Sequence, residues 1–139
     1  MVKLTYLDSG VLLSAFKADG AIGRRAMEIL DDPDRKFLVS DAVWLEVMPK
    51  PLYEKQRHEV DFYETVFSAA EHLSWNVSSL ARAADIAAKY GISAMDAIHI
   101  AHAMDARADE FVTTERPGKP MFRVQEISMR SIQQNIGAD

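Results

Sequence analysis

The chain has 139 residues, 48% of them hydrophobic, which is enough for one domain with a sizeable core and too few for two ordinary ones. A formal net charge of -5 argues against a broad nucleic-acid-coating surface, since such binding neutralises phosphates with Lys and Arg, but leaves room for a local basic rim. With no cysteine, disulfides, thiolate nucleophiles and cysteine zinc sites are excluded together, and any metal must be held by oxygen or imidazole.

No apolar run approaches the ~20 residues of a bilayer span, and the N-terminus lacks the pattern of a secretory signal. A soluble, cytoplasmic protein forming a single domain over residues 1–139 is therefore expected. In chain order, "VKLTYLD" (Val2–Asp8) reads as a first strand, because "SGVLLSAFKA" then turns at Ser-Gly and continues as an apolar helix. "AIGRRAMEILDD" sets Ile22, Ala26, Ile29 and Leu30 on one helical face, with Pro33 beyond its end. "KFLVS" is a short strand, and Ser40 is placed to cap the helix "DAVWLEVM", which Pro49 and Pro51 stop. A long helix from about Leu52 to Leu73 follows, then a third strand in "LSWNV". Ser78 or Ser79 opens a helix ending at Gly91, and Ser93 with Asp96 forms a capping box for "ISAMDAIHIAHAMDARA". "EFVTT" and "FRVQEI" supply the last strands. Strands separated by helices predict an α/β fold with a helix-covered parallel sheet of about five strands.

In such sheets ligands bind beyond the carboxyl ends of the strands. Asp8 ends the first strand, Glu115 follows "EFVTT", Glu46 lies one to two turns into the helix after the second strand, and Asp96 is in the first turn of its helix. These acids can reach one rim. Each also has a plainer role: Asp8 as a turn former beside Ser9 and Gly10, Glu46 as an exposed helix residue, Asp96 as half of a capping box, Glu115 as part of the loop "TERPGKP". His99 and His102 share a helix with Asp96 at a spacing that invites zinc, but no third nitrogen ligand is evident and packed histidines are expected. Most basic residues read as solvated surface, whereas Arg116 and Lys119 flank Glu115 where phosphates would pass. A phosphoacceptor domain would want an acidic doublet where Ser9 and Gly10 follow Asp8, and the Gly-rich Lys-Ser/Thr pattern of a P-loop is missing.

"YLDSGVLL", "SDAVWLEV", "SAMDAIHIAHA" and "FVTTE" resemble, in order and spacing over nearly the whole chain, the successive acidic motifs of the PIN domain, and in size most resemble its VapC-like toxin ribonucleases. The family usually carries Asp where Glu115 stands, and Ser, Thr or Asn where Gly10 stands. The resemblance implies a PIN-like nuclease using Mg²⁺ or Mn²⁺, with Asp8, Glu46 and Asp96 as core metal-binding and catalytic acids and Glu115 as an outer or second-metal ligand. Ser9 and Thr113 would orient carboxylates or waters. It further implies an RNA substrate, products with a 5′-phosphate and a 3′-hydroxyl, a cognate antitoxin and a homodimer. Tyr53, Phe62, Tyr63 and Phe67 also suggest more apolar surface than one small sheet covers. The alternatives are a non-catalytic PIN-fold interaction module and a DNA-directed nuclease. The latter is disfavoured because the chain lacks a large insertion for clamping a DNA flap.

Overall fold

The computed structural model describes residues 1–133; residues 134–139 of the expected span lie outside them. Strand β1 (Lys3–Leu7) runs into helix α1 (Ser9–Lys17), followed by α2 (Gly20–Leu30), β2 (Arg35–Ser40), α3 (Asp41–Val47), α4 (Pro49–Tyr53) and α5 (Arg57–Ala69). Strand β3 (Glu71–Leu73), α6 (Val77–Tyr90), α7 (Ala94–Asp105), β4 (Glu110–Thr113), a 3₁₀ turn (Pro120–Arg123) and β5 (Met129–Ser131) complete the described chain. The five strands form one parallel sheet in the order β3-β2-β1-β4-β5.

The central strands are sealed toward their carboxyl ends. Tyr6, Leu7, Leu38, Val39, Phe111 and Val112 are all fully buried, against Leu12, Val43 and Ile100 from the helices. Each such side chain contributes roughly 1.5–3 kcal/mol when fully buried. Burial on both faces is why these strands read as apolar runs rather than alternations. Register then brings distant positions together: β1 pairs with β4 through Thr5–Glu110, Tyr6–Phe111 and Leu7–Val112. The Asp8 N–H donates to the Val112 carbonyl at 3.0 Å, extending that pairing by one residue.

Two helix starts follow the caps expected at Ser40 and Ser93, and Asp8, read from the sequence as a turn former, caps a third. Asp8, Ser40 and Ser93 precede α1, α3 and α7, and their side chains accept from the N–H groups of Ser9, Val43 and Asp96 respectively. Gly91 ends α6 in the left-handed region at φ 67°, where a side chain would be strained.

Several boundaries differ from expectation. The expected long helix is broken into α4 and α5, because the chain turns at Glu54–Gln56 with Lys55 at positive φ. α3 ends at Val47, ahead of Pro49 and Pro51 as expected, but the two prolines then open a further short helix, sitting in the first turn of α4, where the missing N–H costs nothing. The third strand is Glu71–Leu73, earlier than "LSWNV", and Asn76 rather than a serine caps α6 by accepting from the Ser79 N–H at 2.8 Å. "FRVQEI" is not a strand: it begins within the 3₁₀ turn, and the fifth strand is Met129–Ser131. The aromatic argument for a second copy also weakens, since Tyr63 and Phe67 are buried within the chain, Phe62 is half-buried and only Tyr53 stands exposed.

Candidate metal centre

The site lies where β1 and β4 end side by side. Asp8 follows the last residue of β1, caps α1, and is only 8% exposed. One of its carboxylate oxygens accepts from the Ser9 N–H at 2.8 Å and the other from the Thr113 hydroxyl at 2.7 Å. Thr113 Oγ1 in turn accepts from the Glu115 N–H at 3.1 Å, so one hydroxyl orients the acid and ties down the loop after β4. Ser9 acts on Asp8 through its backbone N–H, and its hydroxyl helps to hold the Glu46 carboxyl below its usual range.

Glu46 projects from α3 so that its Oε1 lies 2.6 Å from His99 Nε2, while His99 Nε2 is 3.8 Å from Asp8 Oδ1. One ligand atom each from Asp8, Glu46 and His99 lies within 4.8 Å of the other two. Asp96 sits half-buried in the first turn of α7, three residues before His99, outside that compact trio but close enough for its charge to act on the imidazole. Glu115 is half-buried, anchored through its main chain, including a carbonyl that accepts from the Ser131 hydroxyl at 2.5 Å. Arg116 and Lys119 are exposed in the same loop and make no ion pair among the described residues. His102 is buried, and burial together with the neighbouring His99 lowers its pKa; it faces Trp75 rather than the acids.

The electrostatics are those of carboxylates gathered without a Lys or Arg partner. Burial holds the Asp8 carboxyl above its usual range, opposed by His99 and Thr113. Glu46 is pulled below its usual range, first by its hydrogen bond to His99. For His99, burial pushes downward, but the Glu46 hydrogen bond and the charges of Asp8, Glu46 and Asp96 outweigh it and raise the pKa.

Gly10 has a steric reason. A Cβ built there would meet Thr114 Oγ1 at 2.1 Å, so the Thr114 hydroxyl fills the space a residue-10 side chain would take. His99 is the residue that sequence reasoning left as packing. Its signal was the Asp96-x-x-His99 spacing, which puts both on one helical face, but nothing local indicated that this face meets Asp8 and Glu46.

The converging groups are the carboxylates of Asp8 and Glu46 and the His99 imidazole, with hydroxyls behind them and no sulfur, and the carboxylate oxygens suit a hard divalent cation. Fold and site together define an α/β protein with an oxygen-rich acidic centre at the carboxyl edge of its sheet. Residues 5–116 match the PIN domain, and the chain belongs to that family. Among solved structures, a toxin–antitoxin complex from Klebsiella pneumoniae is similar with a TM-score of 0.72 and 20% identity, covering 92% of this chain and 97% of that one. VapBC2 from Rickettsia felis, bound to a DNA fragment from its promoter, matches with a TM-score of 0.71 and 15% identity over 92% and 98% of the two chains. VapC20 of Mycobacterium tuberculosis, a sarcin–ricin loop cleaving toxin, matches with a TM-score of 0.66 and 12% identity over 88% and 98%. Comparison with curated proteins finds no match. No helix among the described residues is long and apolar enough to cross a membrane.

Proposed function

We propose that this chain is a single-domain, Mg²⁺- or Mn²⁺-dependent endoribonuclease and the toxin of a toxin–antitoxin pair. The observation that carries the reading is the convergence of Asp8 and Glu46, with Asp96 one helical turn from His99, at a sheet edge where none of these acids has a Lys or Arg partner among the described residues. Asp8, Glu46 and Asp96 would hold the cation, with Glu115 as an outer ligand. A cation so held supplies Lewis acidity toward a phosphodiester and makes a water more acidic. Thr113 keeps Asp8 oriented, Ser9 fixes it through the main chain, and Arg116 and Lys119 are placed to bind flanking phosphates.

Likeness to VapC20, a toxin that cleaves the sarcin–ricin loop, supports RNA as the substrate, and likeness to VapBC complexes supports an antitoxin partner. Exposed Leu45, Leu52 and Tyr53 on α3 and α4 offer apolar surface for a protein partner. A homodimer rests on the family resemblance.

The test is cleavage of structured and unstructured RNAs by the purified chain, with and without Mg²⁺ and chelator, alongside single-stranded DNA of matching sequence. RNA cleavage that stops with chelator and is lost in Asp8→Asn is expected. Preferential DNA cleavage would make the chain a DNA-directed nuclease, and metal-dependent cleavage of neither would favour the non-catalytic module.

A further inference from the structure

His99 lies within ligand distance of the acids, yet its surroundings give it a different task. Its Nδ1 is 2.8 Å from the Tyr6 hydroxyl, and that hydroxyl is 2.7 Å from Ser40 Oγ. Ser40 is the N-cap of α3, accepting from the Val43 N–H at 3.3 Å, and α3 carries Glu46, which returns to His99 Nε2 at 2.6 Å. The contacts close a ring: Ser40 to Tyr6, Tyr6 to His99, His99 to Glu46, and Glu46 through the backbone of α3 to Ser40. It ties β1, α3 and α7 together at the point where Asp8 emerges. Tyr6 and Ser40 are fully buried and His99 is 2% exposed, so water does not compete with the Ser40–Tyr6–His99 part of the ring, while the Glu46 end opens to the cleft.

The ring also fixes the imidazole's hydrogen atoms. An ionised Glu46 can only accept, so the nitrogen at 2.6 Å must be Nε2–H. Nδ1 faces Tyr6 inside the core, and either sense of that bond leaves Nε2–H unchanged, because Tyr6 and Ser40 hydroxyls both donate and accept. Neither nitrogen therefore offers a lone pair to the cleft.

We propose that His99 is a positioning residue rather than a metal ligand: held by Tyr6 and Ser40, it presents Nε2–H to Glu46 and sets that carboxylate beside Asp8 at the spacing a divalent cation needs. The inference rests on the metal-site reading above. Supporting partners of this kind typically change metal affinity about tenfold to a hundredfold when removed.

The experiment combines imidazole ¹⁵N–¹H spectra with Mn²⁺ affinity measured by electron paramagnetic resonance. In the wild type the His99 Hε2 signal should be present without metal and should persist at saturating Mg²⁺. His99→Ala should weaken Mn²⁺ binding about tenfold to a hundredfold, and His99→Gln, whose amide can still donate to Glu46, should recover much of that loss. Tyr6→Phe, which frees the far nitrogen, should give a smaller weakening while circular dichroism stays unchanged. Loss of Hε2 on adding Mg²⁺ would make His99 a ligand and overturn the proposal, as would unchanged Mn²⁺ affinity in a folded His99→Ala. If His99→Ala does not fold, the wild-type spectrum and His99→Gln decide. Absence of Mn²⁺ binding in the wild type would remove the metal reading itself. The ring is judged separately by Glu46→Gln, which must shift the Nε2 resonance, and by Tyr6→Phe, which must shift Nδ1.

Discussion

The two edges of the sheet hold buried acids in opposite ways. At the amino edge, Arg35 places its guanidinium 2.8 Å from Glu110, 3.1 Å from Asp32 and 2.8 Å from the Thr5 hydroxyl, while Asp109 accepts from the Leu4 N–H at 2.8 Å. At the carboxyl edge, Asp8 and Glu46 meet only hydroxyls, backbone N–H groups and one imidazole. Each edge holds one shielded acid at a strand end, Glu110 opening β4 and Asp8 following β1, and each adds an exposed acid, Asp109 and Glu46 respectively. What differs is the countercharge: a fixed guanidinium binds β1, β2 and β4 together, whereas Asp8 and Glu46 have no Lys or Arg partner among the described residues, as the proposed metal site requires.

The largest expected effect breaks the amino edge. Arg35→Ala leaves Glu110, whose side chain is 12% exposed, with only the half-exposed Lys3 ammonium 3.9 Å away, and should destabilise the fold by up to about 3–5 kcal/mol in denaturant unfolding. Replacing Arg35 and Glu110 together with apolar residues should recover most of that loss, because the desolvated charges go as a pair. Recovery no better than the single variant would show that the network is held by geometry rather than charge.

At the other edge the same kind of change should act on function and spare the fold. Asp8→Asn is expected to reduce Mg²⁺-dependent RNA cleavage by more than about a hundredfold, beyond the range of a residue that only supports a ligand. Its melting temperature with chelator should equal or exceed the wild type's, since burial disfavours the Asp8 charge and the Thr113 hydroxyl can turn to accept from an amide. The stabilisation that Mg²⁺ gives the wild type should largely disappear. A variant as destabilised as Arg35→Ala would make the two edges alike and remove the distinction.

Gly10 sharpens the comparison locally. Gly10→Ala drives a Cβ into the Thr114 hydroxyl and should cost about 1–3 kcal/mol by overpacking. In a Thr114→Ala background the same substitution should cost clearly less, and a double-mutant cycle with no coupling would refute the contact.

The smallest effect is the pH dependence without metal. The folded-state pKa of His99 is raised above its ordinary 6.5 and that of Asp8 above 3.8, so the folded protein keeps protons that the unfolded chain has released. Their contributions are fully present below those ordinary values and are lost as pH rises through the raised ones. Glu46 is shifted downward from 4.5, so its contribution is present above that value and lost on acidification. With chelator, the melting temperature should fall modestly between about pH 6 and pH 8, while the Mg²⁺ increment grows as protons leave the site. A melting temperature that rises over that interval would contradict these directions.

By itself the sequence determined the alternation of strands and helices, the caps at Ser40 and Ser93, the position of Asp8 at the end of the first strand and that of Asp96 in the first turn of its helix. These follow from short-range rules: apolar runs, turn formers and helix-start residues act within a few positions, and a parallel sheet sends the ends of its strands to one edge. The short strands β3 and β5 were misplaced because three residues carry no readable period, and their bounds come from hydrogen bonds to β2 and β4. Only the tertiary structure decided the partners. Laying β4 against β1 set Thr113 on Asp8 across 105 positions, packing α7 beside them brought His99 to Tyr6 across 93, and parallel register gave Arg35 to Glu110 across 75. No local propensity encodes such pairings, because they arise only when the core closes and leaves each buried polar group the neighbours that topology supplies.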